Sequence, residues 1–172
     1  MSDDPAGTAP PLHLDDYLPY LVNRAGVSMA ARFGAALRHE GISLQDWRVL
    51  AALRERNGQR LTELSVRTSI EISTLSRLIG SLETAGLLSR QRAAGDARAI
   101  AIHLTTSGEA LAARLTPIAI LLEEAALAGF SAAESAQLKS MLHRIYDSLA
   151  GAAAPQKPSR IRARTDSARK SR

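Results

Sequence analysis

Between Ile72 and Leu104 the apolar residues change their period. Ile72, Leu75, Leu78, Ile79 and Leu82 recur at helical spacing, whereas Ile100, Ile102 and Leu104 alternate with small or polar residues. One segment cannot satisfy both periods, because a helix repeats every 3.6 residues and a strand every two. The switch therefore predicts a helix that runs directly into a hairpin. Gly86 is placed to end the helix. The hairpin is expected from Leu87 to Arg92, a turn at Ala94-Gly95-Asp96, and a return strand from Arg98 to Leu104, with Ile100, Ile102 and Leu104 anchoring one face to a core. Arginines flank the tip at Arg90, Arg92 and Arg98.

The other segments read as helices. Leu21, Val22, Ala25, Met29, Phe33 and Leu37 keep helical spacing to about His39, with Asp15 or Asp16 as the cap, Pro19 in the first turn and Gly41 as the stop. Ser43 and Asp46 form an acidic capping box for a helix whose buried stripe is Leu44, Trp47, Leu50 and Leu53. Asn57-Gly58 is a turn, and a short helix follows with Thr62 as its cap. Thr106 to Glu109 reads as a capping box for a helix carrying Leu111, Leu115, Ile118 and Leu122, bent by Pro117 and ended by Gly129. Ser131 and Glu134 cap a last helix, which carries Leu138, Leu142, Ile145 and Leu149 to Gly151. The expected fold is mainly α with a small β-wing: a winged helix-turn-helix over 43–104, flanked by helices at 15–40 and 106–150. Those flanking helices carry more apolar residues than the middle part needs, an excess that a second copy's matching helices would bury.

Composition narrows the chemistry. The 172 residues include no cysteine, which excludes disulfides, thiol catalysis and a thiol redox sensor. The N-terminus lacks a basic region followed by an apolar core, and no apolar run approaches a membrane span, so a cytoplasmic protein without membrane contact is expected. The net charge is +5, and it is unevenly spread. Residues 157–172 carry +6, the first sixteen carry −4, and the remainder carries +3. Residues 1–14 are expected to be a disordered arm, and 151–172 a disordered basic tail. His13, His39, His103 and His143 are dispersed, with no ligand-spaced pair, and there is no glycine-rich phosphate loop. An enzyme, a cofactor and a metal site are not expected.

Three stretches together resemble the MarR (multiple antibiotic resistance regulator) family. "LTELSVRTSIEISTLSRLIGSLETAGLLSRQR" is similar to its helix-turn-helix, "GDARAIAIHLTTSGEAL" to its wing and the start of the next helix, and "SLQDWRVLAAL" to the preceding helix. The resemblance spans about 17–150. A small departure is Glu71, where Asp or Ser is the commoner cap. The resemblance implies a homodimer on a pseudo-palindromic duplex. It also implies a recognition helix at about 71–85 in the major groove and a wing at 90–104 in the minor groove.

The residues support that assignment physically. Ser73, Thr74 and Ser76 are short hydroxyl side chains near a helix start, where the backbone can approach phosphates and the free N–H groups attract anions. Arg77 is long enough to reach a phosphate or a guanine edge. Arg98 suits the narrow, negative minor groove, Arg90 and Arg92 suit phosphates, and Asp96 shapes the turn. For Arg90 an ion pair within the lobe is an equal reading. Arg60 and Arg67 are weaker phosphate candidates. The resemblance further implies a small aromatic or phenolic carboxylate effector between the dimer helices and the DNA-reading lobe. Arg24, one turn from Tyr20, suits carboxylate capture, and Trp47 suits a pocket wall, although an ion pair for Arg24 and a core role for Trp47 are the plainer readings. The expected function is a ligand-responsive homodimeric repressor. The alternatives are an architectural winged-helix DNA binder without ligand control and a winged helix used only for dimerisation or protein interaction.

Overall fold

The computed structural model describes residues 11–151 apart from 94 and 95; the side chains of 93–98 also lie outside the described residues. The arm expected over 1–14 lies largely outside them, as does the tail from 152 onward. Two compact units divide the chain, 1–128 and 129–172.

The described part of the first unit begins with a short 3-10 helix, Leu14–Asp16, whose first residue is the last of the segment expected to be disordered. Asp15 and Asp16 belong to this turn and do not cap the long helix after it. Tyr17 is the N-cap of α1 (Leu18–His39), without a side-chain bond, and Pro19 sits in the first turn. The next elements are α2 (Leu44–Glu55), β1 (Gln59–Arg60), α3 (Leu61–Thr68) and α4 (Ile72–Thr84). The hairpin β2 (Leu88–Ala93) and β3 (Asp96–Leu104) precedes α5 (Thr106–Ala126). The Ser43–Asp46 capping box is present: each residue's backbone N–H donates to the other's side chain, at 2.7 and 3.1 Å. For α3 the cap is Arg60, with Thr62 one position inside the helix, and the Arg60 N–H donates to Glu63 at 2.7 Å. For α5 the cap is Thr105, one residue earlier than expected, and α5 ends at Ala126 rather than at Gly129. Its helical assignment is continuous through Pro117.

The sheet is antiparallel in the order β1-β3-β2. Its smallest strand was not expected from the sequence. Gln59 pairs with Ile102 and Arg60 with Ala101, which seats the return strand of the hairpin in the body of the unit. Gln59 is buried, and its amide donates to the carbonyls of Ala52 and Arg56 at 2.8 and 2.6 Å, closing the end of α2. Asn57 adds a second clip by accepting from the Leu104 N–H at 3.0 Å.

One apolar core joins the elements. It contains Phe33 and Leu37 of α1, Val49, Leu50 and Leu53 of α2, Leu64 of α3, Leu75, Ile79 and Leu82 of α4, Ile102 of β3, and Leu111 and Leu115 of α5. Of the expected α2 stripe, Leu50 and Leu53 are buried, while Leu44 and Trp47 pack at its edge. On these two outer helices the fully buried residues come from the C-terminal part of α1 and the N-terminal part of α5, with Ala119 and Leu122 of α5 partly buried against them. Leu18, Leu21, Val22 and Met29 on α1, and Ile118, Ile120 and Leu121 on α5, are exposed. In the second unit, α6 (Ala132–Gly151) begins at a capping box in which the Ser131 N–H donates to Glu134 at 2.8 Å. Leu138, Met141, Leu142, Tyr146 and Leu149 are exposed along it. Among the described residues no helix is long and apolar enough to cross a membrane.

Candidate nucleic-acid interface

The turn between α3 and α4 sets their geometry. Ser69 holds a left-handed conformation, φ 54°, and is the only non-glycine residue to do so among the described residues. The reversal lets Ile70 turn inward, where it is buried, and the Ser65 hydroxyl donates to its carbonyl at 2.7 Å. Leu64 and Leu75 then fasten the two helices from beneath. With Leu75, Ile79 and Leu82 committed to the core, helical spacing turns Ser73, Ser76, Arg77, Gly80, Ser81 and Thr84 to the other side. Ser73, Ser76, Arg77, Ser81 and Thr84 are exposed and Thr74 is half-buried. Ile72, expected in the buried stripe, is exposed because it starts the helix ahead of the core.

Gly80 interrupts this polar face. A Cβ built there would meet nothing, so the protein's own packing does not demand a glycine. A glycine inside a helix costs about 0.5–1 kcal/mol relative to alanine. What it provides is a low point on the outward surface of α4.

The start of α4 departs from the expected open, anion-attracting helix end. Glu71 is the N-cap. Its Oε2 accepts from the Ser73 N–H at 2.9 Å and the Thr74 N–H at 3.1 Å, and also from the Ser73 hydroxyl. Those donors are consumed internally. The Ser73 hydroxyl and N–H groups, with the Thr74 N–H and the Arg77 charge, hold the Glu71 carboxyl down at about 2 from an ordinary value of 4.5. The carboxyl binds protons more weakly in the folded chain than in the unfolded one. Its contribution to stability is therefore complete above about pH 4.5 and is lost as pH falls through about 2. Thermal melting across that window is expected to show a steeper loss of Tm with acidification for the wild type than for Glu71→Gln. Equal slopes would contradict this account of the cap.

The wing lies beside α4. Across the hairpin Leu88 pairs with Leu104, Arg90 with Ile102 and Arg92 with Ile100, so these six residues share one face that runs from core to tip. Only its base is covered. Ile102 is buried and Leu104 half-buried, whereas Ile100 is 57% exposed and does not anchor the hairpin. Ala101, on the other face, is buried in its place, where β1 runs alongside. Arg90 forms the ion pair that was one of its two readings, with Glu83 of α4 at 3.2 Å. Arg92 is exposed farther out. The side chains of Asp96 and Arg98 lie outside the described residues. Arg67 pairs with Glu55. Arg60 lends its backbone to the cap of α3.

The base of the wing is tied to α5. The Thr105 N–H donates to the Leu87 carbonyl at 3.1 Å, and the Thr105 hydroxyl donates to the Gly86 carbonyl at 2.7 Å. One residue thereby joins the exit from α4, the hairpin base and the start of α5. Farther along, α5 is joined to α2 by Arg54, which reaches Glu109 at 3.0 Å and Thr116 at 2.8 Å. Arg114 joins α5 to Glu40 at 2.8 Å, and that guanidinium lowers the Glu40 carboxyl.

The two effector candidates occupy different settings. Trp47 is half-buried, its ring edge-on to Phe33 with centroids 5.4 Å apart. It lines a cleft of about 370 Å³ together with Ala51, Arg54, Glu55, Glu109 and Thr116. A second cleft of about 400 Å³ shares Trp47, Ala51 and Glu55 with the first and is also lined by Arg48, Arg67 and Thr68. Arg24 is exposed on α1 and lines neither cleft. No three His, Asp or Glu side chains among the described residues are grouped to hold a metal ion.

A helix-turn-helix braced by a three-stranded sheet, with an arginine-bearing hairpin beside its second helix, defines a winged helix-turn-helix protein. Known proteins give the same answer. A MarR family sequence profile matches residues 40–99. The HTH-type transcriptional repressor Rv2887 of Mycobacterium tuberculosis is 28% identical over 131 residues, 76% of this chain and 94% of that protein. Bordetella bronchiseptica BpsR, whose DNA binding is regulated by 6-hydroxynicotinic acid, superposes with a TM-score of 0.72 at 25% identity, covering 80% of this chain and 98% of BpsR. S. aureus MepR, solved as a DNA complex, gives a TM-score of 0.69 at 26% identity over 77% of this chain and 98% of MepR. The chain belongs to the MarR family of DNA-binding transcriptional regulators.

Proposed function

We propose that this protein is a cytoplasmic homodimeric repressor that binds a pseudo-palindromic duplex operator and releases it on binding a small effector. The observation that carries the reading is the outward face of α4. It holds hydroxyls, a glycine and Arg77, with no large apolar side chain, and it stands next to the wing. Ser73, Thr74, Ser76 and Arg77 meet the major groove, and Arg92 meets phosphates. Arg90 contacts a phosphate while remaining braced by Glu83. Arg98 enters the minor groove, an assignment that rests on the sequence pattern alone. The exposed apolar residues of α1 and α5 support burial against a second copy, which would pair two α4 helices about one helical turn of DNA apart, ~34 Å. In the corresponding domain division, 43–104 reads DNA, 15–40 and 106–150 dimerise, and 1–14 and 151–172 are appended arms.

Hydroxyl-radical footprinting on duplexes selected from a random pool tests this. The expected pattern is two-fold symmetric, with half-site centres about 34 Å apart. A single unrepeated footprint, or no retained duplex, would overturn it. Arg98→Ala is expected to weaken operator binding several-fold, with the dimer unchanged in sedimentation. Unchanged affinity would remove Arg98 from the interface.

The effector reading is drawn from BpsR and from the cleft beside Trp47, where a ligand carboxylate would share the Arg54 guanidinium with Glu109. A small aromatic or phenolic carboxylate fits a half-buried indole next to a guanidinium. Trp47 would form one wall, and Arg24 would be an anchor completed by the dimer. A ligand of the native state raises Tm. A panel of aromatic acids is expected to include one that raises Tm in the wild type and not in Trp47→Ala.

A further inference from the structure

Taking α4 as the recognition helix, its leading end has the opposite electrostatic character from a bare helix start. An uncapped N-terminus offers N–H donors to phosphate. Here the Ser73 and Thr74 N–H groups and the Ser73 hydroxyl all donate to one oxygen, Glu71 Oε2. The other oxygen, Oε1, accepts no bond among the described residues, and Glu71 is exposed. With its proton directed at Glu71, the Ser73 hydroxyl presents only lone pairs outward. The front of α4 is thus a pair of acceptors bearing a negative charge. Arg77, a donor, sits one turn later, its Nε 3.4 Å from the Ser73 carbonyl. Capping alone does not call for glutamate, since Asp, Asn and Ser are the favoured N-caps.

In the major groove, the donors are the exocyclic amines of cytosine N4 and adenine N6, while guanine O6 and N7 and thymine O4 are acceptors. Adenine sets an acceptor, N7, beside its amine. A carboxylate meets that lone pair unfavourably, whereas cytosine N4 has an acceptor on one side only, the O6 of its paired guanine, and the C5–H edge on the other. We propose that Glu71 is a specificity-determining residue: its Oε1 accepts from a cytosine N4 amine at one position of each half-site, and its charge lowers affinity for duplex that lacks that cytosine. The reading of α4 as recognition helix is a premise of this proposal, and the test separates the two.

The wild type, Glu71→Ser and Glu71→Gln are each used to select duplexes from a random pool, and each is titrated onto a fixed unrelated duplex. The wild type is expected to enrich one cytosine per half-site and to discriminate against the other bases there by about 5–150-fold. Glu71→Ser keeps a capping oxygen but loses reach and charge. It is expected to lose that preference and to bind the unrelated duplex several-fold more tightly. Glu71→Gln, which offers both a donor and an acceptor, is expected to move the preference from cytosine to adenine. If Glu71→Ser loses helix content by circular dichroism, Glu71→Gln decides alone. Unchanged base preferences in the folded variants would overturn the assignment, even if non-specific affinity rose. Failure of the premise has its own signature: full affinity in both Arg77→Ala and Arg92→Ala.

Discussion

Gly108→Ala is expected to lower the free energy of unfolding by about 2–3 kcal/mol, the upper part of the range for forced overpacking. Helix propensity alone predicts the opposite sign, because alanine is favoured over glycine inside a helix by about 0.5–1 kcal/mol. The difference lies in what surrounds the site. Gly108 is buried in the first turn of α5, and its N–H donates to the Thr105 hydroxyl oxygen at 3.1 Å. A Cβ there would overlap the Leu87 carbonyl oxygen and press on Leu104 at 3.1 Å. That carbonyl already accepts from the Thr105 N–H. Relief requires moving α5 or the hairpin base, and either movement breaks the clip that aims the wing. Gly80→Ala is the control, since its Cβ meets nothing and the helix gains about 0.5–1 kcal/mol. Urea denaturation of both variants checks the pair. Stabilisation by Gly108→Ala would mean that the clip is loose.

The second large effect concerns Arg77. Removing its side chain is expected to raise operator Kd by about 5–150-fold if it reads a base edge, the equivalent of ~1–3 kcal/mol. The same substitution should leave folding nearly unaffected, because Arg77 is exposed and its one hydrogen bond among the described residues is a long contact to the Ser73 carbonyl. Sequence dependence distinguishes the two roles open to it. A base contact loses affinity mainly on the selected operator. A phosphate contact loses affinity uniformly across duplexes and reduces the salt slope by about one. Fluorescence anisotropy on the selected and on scrambled duplexes, at two salt concentrations, makes the distinction.

Sequence patterns made the local features legible. The Ser43–Asp46 and Ser131–Glu134 boxes, the apolar period of α4 from Leu75 to Leu82, the hairpin and the stop at Gly41 all depend on residues near one another in sequence, and all are present. The misses depend on partners distant in sequence. Strand β1 has two residues and exists because β3 lies beside it, more than forty positions later. Ile100 and Ile102 are indistinguishable by alternation, yet only the latter lies over the core, because the hairpin extends past the body of the unit. Thr106 opens the expected capping box, whereas Thr105 is the cap, and its hydroxyl donates to the Gly86 carbonyl, a partner nineteen positions earlier. At the candidate interface, residue types were readable but their commitments were not. Ser73 and Thr74 suggest phosphate contacts by type, but Glu71 holds their donors. Arg90 admits two readings by position, DNA contact and internal ion pair, and Glu83 beside it supplies the second.

The central claim is that the outward face of α4 and the neighbouring wing read duplex DNA. The most direct measurement is the affinity of the dimer for a selected duplex, compared among the wild type, Arg77→Ala, Arg92→Ala and the double variant, with folding verified for each by thermal melting. Each single variant is expected to bind more weakly, and the double variant to retain little specific binding. Wild-type affinity in a folded double variant would contradict the assignment of this face.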